Sequence, residues 1–329
     1  MVKLLVELLE FMRSCAPLLF SLGVLTLFFV LLSKSVKKHA TIYYMVFALP
    51  FLLYLIPFTG GLMGFEMPNL IIIPVLGEIL RDYIHVGALA HPILIIIMYV
   101  GALDPKIPAV KKLLSIRKEI SIISGFPILI HSLVRVVNNL PSAFKFFTNK
   151  EEYMENTRVV SELGAGISSF SFILGIALLV IFIPLWVTSF DLVRKRMGGV
   201  KWKKLQRWSY VLYALLFVHA IGIQAGGMLN PREGATRPAV EISAPTTQDM
   251  VIAKSAEGGR PERQAVQQPA RQQPAGGRAP DKGISDIEVS RKTKQSIHII
   301  SLFLIYGSYL YLRLRKARKD AAKKTKPLS

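Results

Sequence analysis

The chain has 329 residues, of which 52% are hydrophobic, and its 41 Lys and Arg against 21 Asp and Glu give a formal net charge of +20. The apolar residues are grouped in blocks long enough to cross a bilayer, which excludes a soluble domain with one large core and predicts an all-α, polytopic transmembrane helix bundle. The basic residues form no helical face with base-reading side chains, so the charge indicates orientation in a lipid bilayer and not nucleic-acid binding.

Seven apolar segments are predicted to span the membrane. Glu7 and Glu10 precede the first segment and no small-residue cleavage site follows it, so we expect a retained helix and not a signal peptide. Between the second and third segments, residues 62–82 contain the apolar run LIIIPVL, which is too short to span and predicts an outer, interfacial or re-entrant piece. The predicted spans are 15–32, 41–58, 83–102, 119–138, 166–188, 208–226 and 296–312.

Basic loops orient these spans. Loops 34–38, 106–118 and 194–207 carry 3, 5 and 7 Lys or Arg, and the tail from Arg313 carries 8. Because basic loops remain in the cytoplasm, we expect a protein of the cell (inner) membrane with its N-terminus outside and its C-terminus inside. Residues 228–294 are rich in Pro, Gly, Gln and Arg, and this composition predicts a disordered extracytoplasmic linker.

Two histidines occupy matching positions in separate spans. His131 lies 14 residues after Arg117 and His219 lies 12 residues after Arg207, so both sit roughly 18–21 Å from the cytoplasmic edge. Two neutral imidazoles at equal depth could be the axial ligands of one haem iron. With Cys15 as the single cysteine, no C-x-x-C-H attachment is possible and the haem would be held non-covalently. The alternative is that each histidine only hydrogen-bonds a neighbouring helix.

Other polar residues lie near these histidines. Arg135, one turn outward from His131, and Asn138 could meet the haem propionates. His85 and His91 are six residues apart and point about 120° away from each other on a helix, so both cannot face one partner. We favour His85 as a residue of the haem pocket because it lies at the outer entrance.

For His91 a polar contact between helices is an equally good interpretation, and His298 in the last span is similarly ambiguous.

Two longer motifs carry a family resemblance. IRKEISIISGFPILIH (Ile116 to His131) and TSFDLVRKRMGGVKWKKLQRWSYVLYALLFVH (Thr188 to His219) resemble the ferric-reductase-like transmembrane domain. The resemblance covers about 80–225 and is strongest to the haem-binding membrane subunit of the bacterial periplasmic methionine sulfoxide reductase system. It implies a six-helix haem-binding core formed by the second to seventh spans.

The corresponding organisation divides the chain into five parts. These are an extra N-terminal helix with its basic turn (1–40), the core (41–227), the linker (228–294), the last core helix (295–313) and a basic cytoplasmic tail (314–329).

The chain departs from the related NADPH oxidases, whose two facing helices each carry two histidines. Here the ligands of an inner haem would fall near Arg117 and Gln206, and neither side chain can ligate iron. We therefore expect one haem, with an anionic cofactor in place of the inner one. Flavin mononucleotide stacked on Trp202 or Trp208 is our first candidate, and a quinone is the second. The basic residues around that position are Arg117, Lys118, Lys201, Lys203, Lys204 and Arg207. These charges could instead only set topology and contact lipid phosphate.

The resemblance implies a haem b electron-transfer subunit, an oxidoreductase component that needs a separate donor and acceptor. Because the tail from Arg313 is short, we expect no flavin or nicotinamide domain on this chain, and a cytoplasmic flavin reductase or the quinone pool would be the donor. The extracytoplasmic acceptor is not identified by the sequence. A direct ferric or metal reductase is one alternative. A non-redox channel or transporter with packing histidines is the other.

Overall fold

The computed structural model describes residues 2–65, 89–157, 161–230 and 290–324, together with Gly77. This part of the chain is helical and contains no strand. In chain order the helices are α1 (Val2–Cys15), α2 (Pro17–Leu31), α3 (Ser33–Lys38), α4 (Ala40–Leu62), α5 (Ala90–Val100), α6 (Pro108–Ser115), α7 (Arg117–Thr148), α8 (Lys150–Thr157), α9 (Glu162–Val187), α10 (Asp191–Met197), α11 (Gly199–Gln206), α12 (Ser209–Leu229) and α13 (Arg291–Lys324).

Within the described ranges, five helices are long and apolar enough to cross a membrane, and a bent pair makes a sixth candidate. The five are Ala40–Gly61, Arg117–Thr148, Glu162–Val187, Gly199–Leu229 and Arg291–Ala321. The prediction of an all-α polytopic membrane helix bundle is therefore confirmed. The protein is an integral membrane protein.

The bent pair lies where the sequence predicts a first span at 15–32. The helix axis bends by 119° between Glu7–Cys15 and Pro17–Leu31. The break has a local cause, because Pro17 disfavours helical geometry at the preceding residue and Ala16 adopts φ −135° and ψ 58°. With 15 residues, α2 alone is about 22 Å long, shorter than the roughly 30 Å of a bilayer core.

The third predicted span, 83–102, is described only from residue 89. Its described part is α5, an apolar helix with nine of its eleven residues buried in the centre of the bundle. A helix that is apolar all round needs neighbours on every side. The predicted outer piece 62–82 lies outside the described residues beyond Phe65, except for Gly77, so the number of seven spans stays a prediction.

The chain between the predicted spans 119–138 and 166–188 is helical over most of its described length. Helix α7 continues to Thr148 with Pro141 inside it, and α8 follows. Apolar packing explains the extension, since Phe146 is buried against α9 and a Cβ on Gly166 would lie 3.2 Å from its ring. Phe146 also meets the Tyr153 ring, with 5.3 Å between the ring centroids.

Helix α9 packs against both α7 and α12, and small residues allow these close approaches. A Cβ on Gly125 of α7 would overlap the Trp186 indole, and a Cβ on Gly222 of α12 would overlap the Ser171 hydroxyl. A Cβ on Gly164 would lie 2.8 Å from the Leu229 side chain. Small residues at such contacts let membrane helices pack backbone to backbone. This packing brings α12 and its histidine against the backbone of α9.

Candidate functional site

His219 is held by the backbone of the neighbouring helix. Its Nδ1 lies 2.7 Å from the carbonyl oxygen of Ser171 on α9. A carbonyl oxygen can only accept, so Nδ1 must carry the proton. In the neutral ring Nε2 is then unprotonated and keeps its lone pair available to a metal, the arrangement typical of metal-ligating histidines.

Two glycines leave room for this ring and its acceptor. Gly175 lies one turn after Ser171, and a Cβ there would be 3.4 Å from Cε1 of His219. Gly222 lies opposite Ser171 itself. The position of the imidazole is therefore determined by backbone atoms of α9.

His131 lies on α7 beside a small apolar cluster. Its neighbours Ile130 and Val134 are buried against Tyr54 of α4, while the His131 side chain is half-buried. His91 of α5 interacts electrostatically with His131, His219 and His298. Four helices thus bring four histidines into one region of the bundle.

The other histidines differ in what they contact. His91 Nε2 lies 3.0 Å from the Tyr306 hydroxyl of α13, and Tyr306 is buried. His91 therefore makes the interhelical polar contact that was the alternative to a cofactor role. His298 is half-buried, and His85 lies outside the described residues.

Arg135 lies near the same region. Its Nη1 donates to Asn139 Oδ1 at 3.4 Å, and its charge interacts with His219 and Tyr54. Asn138 is exposed. Arg135 is thus a cation one turn from His131 on α7 and within electrostatic range of His219.

At the other end of the bundle, Gln206 and Trp202 are bonded to the end of α9. Gln206 Nε2 donates to Thr188 Oγ1 at 3.2 Å and to the Leu185 carbonyl at 3.4 Å. Trp202 Nε1 donates to the Thr188 carbonyl at 3.1 Å, and the Arg194 guanidinium lies 5.8 Å from its ring centroid. These contacts hold α10 and α11 against the end of α9.

Lys118 lies at the same end of the bundle. Its Nζ is 2.9 Å from Oδ2 of Asp191, the first residue of α10. The hydrogen bond from Lys118 and its charge hold the pKa of the Asp191 carboxyl below its usual value, and Arg194 and Lys195 act in the same direction. Arg207 is exposed in the turn before α12.

Arg117 precedes Lys118 in the chain, but its side chain has different neighbours. It lines a cavity of about 180 Å³ between the ends of α5, α7, α12 and α13. The other lining residues are Met98, Gly101, Ser209, Tyr210, Tyr213, Tyr309 and Arg313. The structure therefore separates Arg117 from Lys118, Trp202 and Gln206, which the sequence analysis grouped together.

Several of these residues were missed in the sequence analysis. Arg313 was treated as part of the basic tail that sets the topology. The Ser171 carbonyl could not be predicted as a partner of His219, because every residue type has a backbone carbonyl. The tyrosines do carry a signal, because Tyr210 and Tyr213, like Tyr306 and Tyr309, are spaced i, i+3 and so share a helix face.

Comparison with known proteins is consistent with this geometry. Residues 106–217 match the family model described as ferric reductase like transmembrane component, a stretch that contains His131 and ends two residues before His219. This match supports a ferric-reductase-like transmembrane domain. It also suggests a membrane electron-transfer or reductase function.

Other comparisons are limited. The chain is 54% identical over 33 residues to an "Uncharacterized protein" of Treponema pallidum (strain Nichols). The matched stretch is 10% of this chain and 9% of that relative's length. No solved structure matches the chain.

Proposed function

We propose that the protein is a haem b electron-transfer subunit of the membrane, with His131 and His219 as the axial ligands of the iron. The observation that carries the proposal is the hydrogen bond from His219 Nδ1 to the Ser171 carbonyl. It leaves Nε2 as the ligating atom and holds the ring in one orientation. The family match over His131 is an independent support.

The set of donors fits a haem better than a bare metal ion. The described residues contain no group of three or more His, Cys, Asp or Glu that could hold a metal ion. A porphyrin supplies the equatorial ligands of its iron, so the protein needs to provide only the axial ones. When bound, haem b supplies an electron carrier that changes oxidation state without taking up substrate. Arg135, close to both histidines, is placed to balance the propionate charge.

The proposed electron path runs from the basic side of the membrane to the opposite side. We propose a cytoplasmic flavin reductase or the quinone pool as donor and an extracytoplasmic acceptor, with the N-terminus outside and the C-terminus in the cytoplasm. The resemblance to the methionine sulfoxide reductase membrane subunit supports this direction, as do the basic loops. An inner cofactor, flavin mononucleotide or a quinone, would meet the exposed cations of α11 and the following turn, which are Lys201, Lys203, Lys204 and Arg207.

The absorption spectrum of the purified protein tests the proposal. We expect a Soret band and sharp α and β bands after reduction. His131→Ala and His219→Ala should each abolish the low-spin bis-histidine spectrum, while the exposed His39→Ala should leave it unchanged. A normal spectrum in either of the first two variants contradicts the ligand assignment. A colourless wild-type protein favours a channel or transporter.

Stoichiometry tests the number of haems. The pyridine haemochrome assay should give one haem per chain, and His91→Ala and His298→Ala should not change this value. Two haems per chain would contradict the proposal and would point to His91 and His298 as a second pair. Released flavin, measured by fluorescence, distinguishes flavin mononucleotide from a quinone as the inner cofactor.

A further inference from the structure

The cavity that Arg117 lines has an unusual balance of charge. Its lining residues include two arginines, Arg117 and Arg313, and no carboxylate. Within the described part of the chain neither guanidinium forms an ion pair with an acidic side chain. Two guanidinium groups beside one cavity repel each other, and the repulsion is stronger where water is partly excluded. An anion in the cavity would remove this repulsion.

Both arginines lie against the same glycine. A Cβ on Gly101 would be 3.6 Å from Arg117 Nη2, and Arg313 Nη1 lies 3.4 Å from the Gly101 carbonyl. Lys316 Nζ donates to the same carbonyl at 3.0 Å. Three cationic side chains from α7 and α13 therefore converge on the end of α5.

The Arg313 guanidinium is already fixed in position. It donates to the Tyr210 hydroxyl and lies 4.8 Å from the centroid of that ring. A guanidinium held by protein contacts loses little further freedom when it binds an oxyanion.

A tyrosine hydroxyl also faces the cavity. Tyr213 is 6% exposed and lines the cavity, and its hydroxyl makes no hydrogen bond with any described residue. It interacts electrostatically with Arg117, and Tyr309 interacts with both Arg117 and Arg313. The described residues hold no buried hydroxyl without a partner, so the Tyr213 hydroxyl is accessible from the cavity, where it can donate to a ligand.

The size and position of the cavity narrow the choice of ligand. At about 180 Å³ it is smaller than the roughly 300–1,000 Å³ of pockets that enclose drug-sized molecules. It lies on the basic side of the bundle, at the start of the candidate span Arg117–Thr148 and near the end of the candidate span Arg291–Ala321. Lipid phosphates occupy this level of the bilayer. Donors arrive from several directions, an arrangement that suits a tetrahedral oxyanion better than a planar carboxylate.

We propose that this cavity binds a phosphate group between Arg117 and Arg313, with the Tyr213 hydroxyl as a further donor. The group belongs either to the headgroup of an anionic phospholipid or to a soluble phosphate ester. The site is separate from the four histidines and does not depend on the presence of haem.

The test uses the full-length protein in two arms. In the lipid arm, protein from nanodiscs of phosphatidylcholine containing phosphatidylglycerol is analysed by native mass spectrometry for retained phosphatidylglycerol. In the soluble arm, delipidated protein in detergent is titrated with inorganic phosphate and with glycerol phosphate by calorimetry. Retention in the first arm alone identifies a lipid headgroup, and binding in the second identifies a soluble phosphate.

Matched variants make the test specific. Arg117→Gln should weaken binding by roughly tenfold or more, because a charge-assisted bond is lost. Tyr213→Phe keeps the ring and removes only the hydroxyl, so it should fold as the wild type and weaken binding by roughly three- to tenfold. Arg315→Gln is the control, since Arg315 is exposed and lies roughly 200° around α13 from Arg313. No binding in either arm, or equal binding by wild type and both cavity variants, would overturn the proposal.

Discussion

Trp186 of α9 donates its Nε1 hydrogen to the carbonyl of Ile122 on α7, at 2.9 Å. The indole reaches this carbonyl because it lies directly over Gly125, where any side chain would overlap it. The contact joins the helix that carries His131 to the helix that holds His219. It is therefore a structural support of the candidate site.

The first prediction concerns this contact. Gly125→Ala should destabilise the protein by about 1–3 kcal/mol, the usual cost of overpacking a filled interior. The measurement is the thermal unfolding of the detergent-solubilised protein. Gly307→Ala is the matched control, because a Cβ there meets nothing within 4 Å and alanine favours the helix. An equal effect of the two substitutions would contradict the packing described here.

The second prediction concerns the space in front of His219. Gly175→Ala should be tolerated, because its Cβ would make an ordinary 3.4 Å contact with the imidazole. Gly175→Leu should displace the ring and reduce the ratio of haem to protein severalfold. The ratio is measured from the Soret absorbance against the protein concentration. Full haem content in Gly175→Leu would mean that the ring position is not critical for haem binding.

The third prediction concerns the carbonyl that accepts from His219. Gly222→Ala should push Ser171 away from α12 and so lower thermal stability and haem content. Ser171→Ala alone should be nearly neutral, because it keeps the backbone carbonyl and removes only the hydroxyl. The double variant should recover part of the loss, since the overlapping oxygen is gone. If the two effects simply add, the side chains do not interact, and the predicted clash is absent.

The fourth prediction concerns the Lys118–Asp191 pair. Because the folded state lowers the pKa of Asp191, its carboxylate contributes stability that is fully present above the ordinary value of 3.8 and is lost as the pH falls below it. The effect should be small because both side chains are exposed. Asp191→Asn should therefore lower the thermal midpoint slightly at pH 7 and by less as the pH falls below 3.8.

Lys118→Gln should show the same pH dependence, and the double variant should lose less at pH 7 than the sum of the two single losses, because Asp191 also pairs with Arg194 and Lys118 with Glu119. Additive losses would show that the two residues stabilise the protein through different partners.

The fifth prediction concerns topology. Protease added to intact cells or spheroplasts should cut within 228–294 and leave the basic loop 194–207 intact, because the basic loop is expected in the cytoplasm. Nearly all of this linker lies outside the described residues, so the experiment tests an expectation from composition alone. Protection of the linker together with cleavage of the basic loop would mean that the orientation is inverted.

The sequence alone was sufficient for the fold class, and it singled out His131 and His219 as candidate haem ligands, an assignment that stays a prediction. Apolar blocks of this length have few stable arrangements other than membrane-crossing helices, because the bilayer core offers no water to unpaired backbone groups. Depth within a helix follows from counting residues, so the equal depth of two histidines is visible without a structure. The orientation in the membrane is also predicted from the sequence, because the number of Lys and Arg residues in each loop can be counted directly.

Only the tertiary structure decided which residues face each other. Arg117 and Lys118 are adjacent, yet one lines a cavity with Arg313 and the other pairs with Asp191. Neighbouring residues on a helix point roughly 100° apart, and the packing of the other helices determines what each one meets. The Ser171 carbonyl is invisible in the sequence because every residue has one. Which carbonyl accepts the His219 hydrogen depends on how closely α9 and α12 approach, and that distance is set by the small side chains between them.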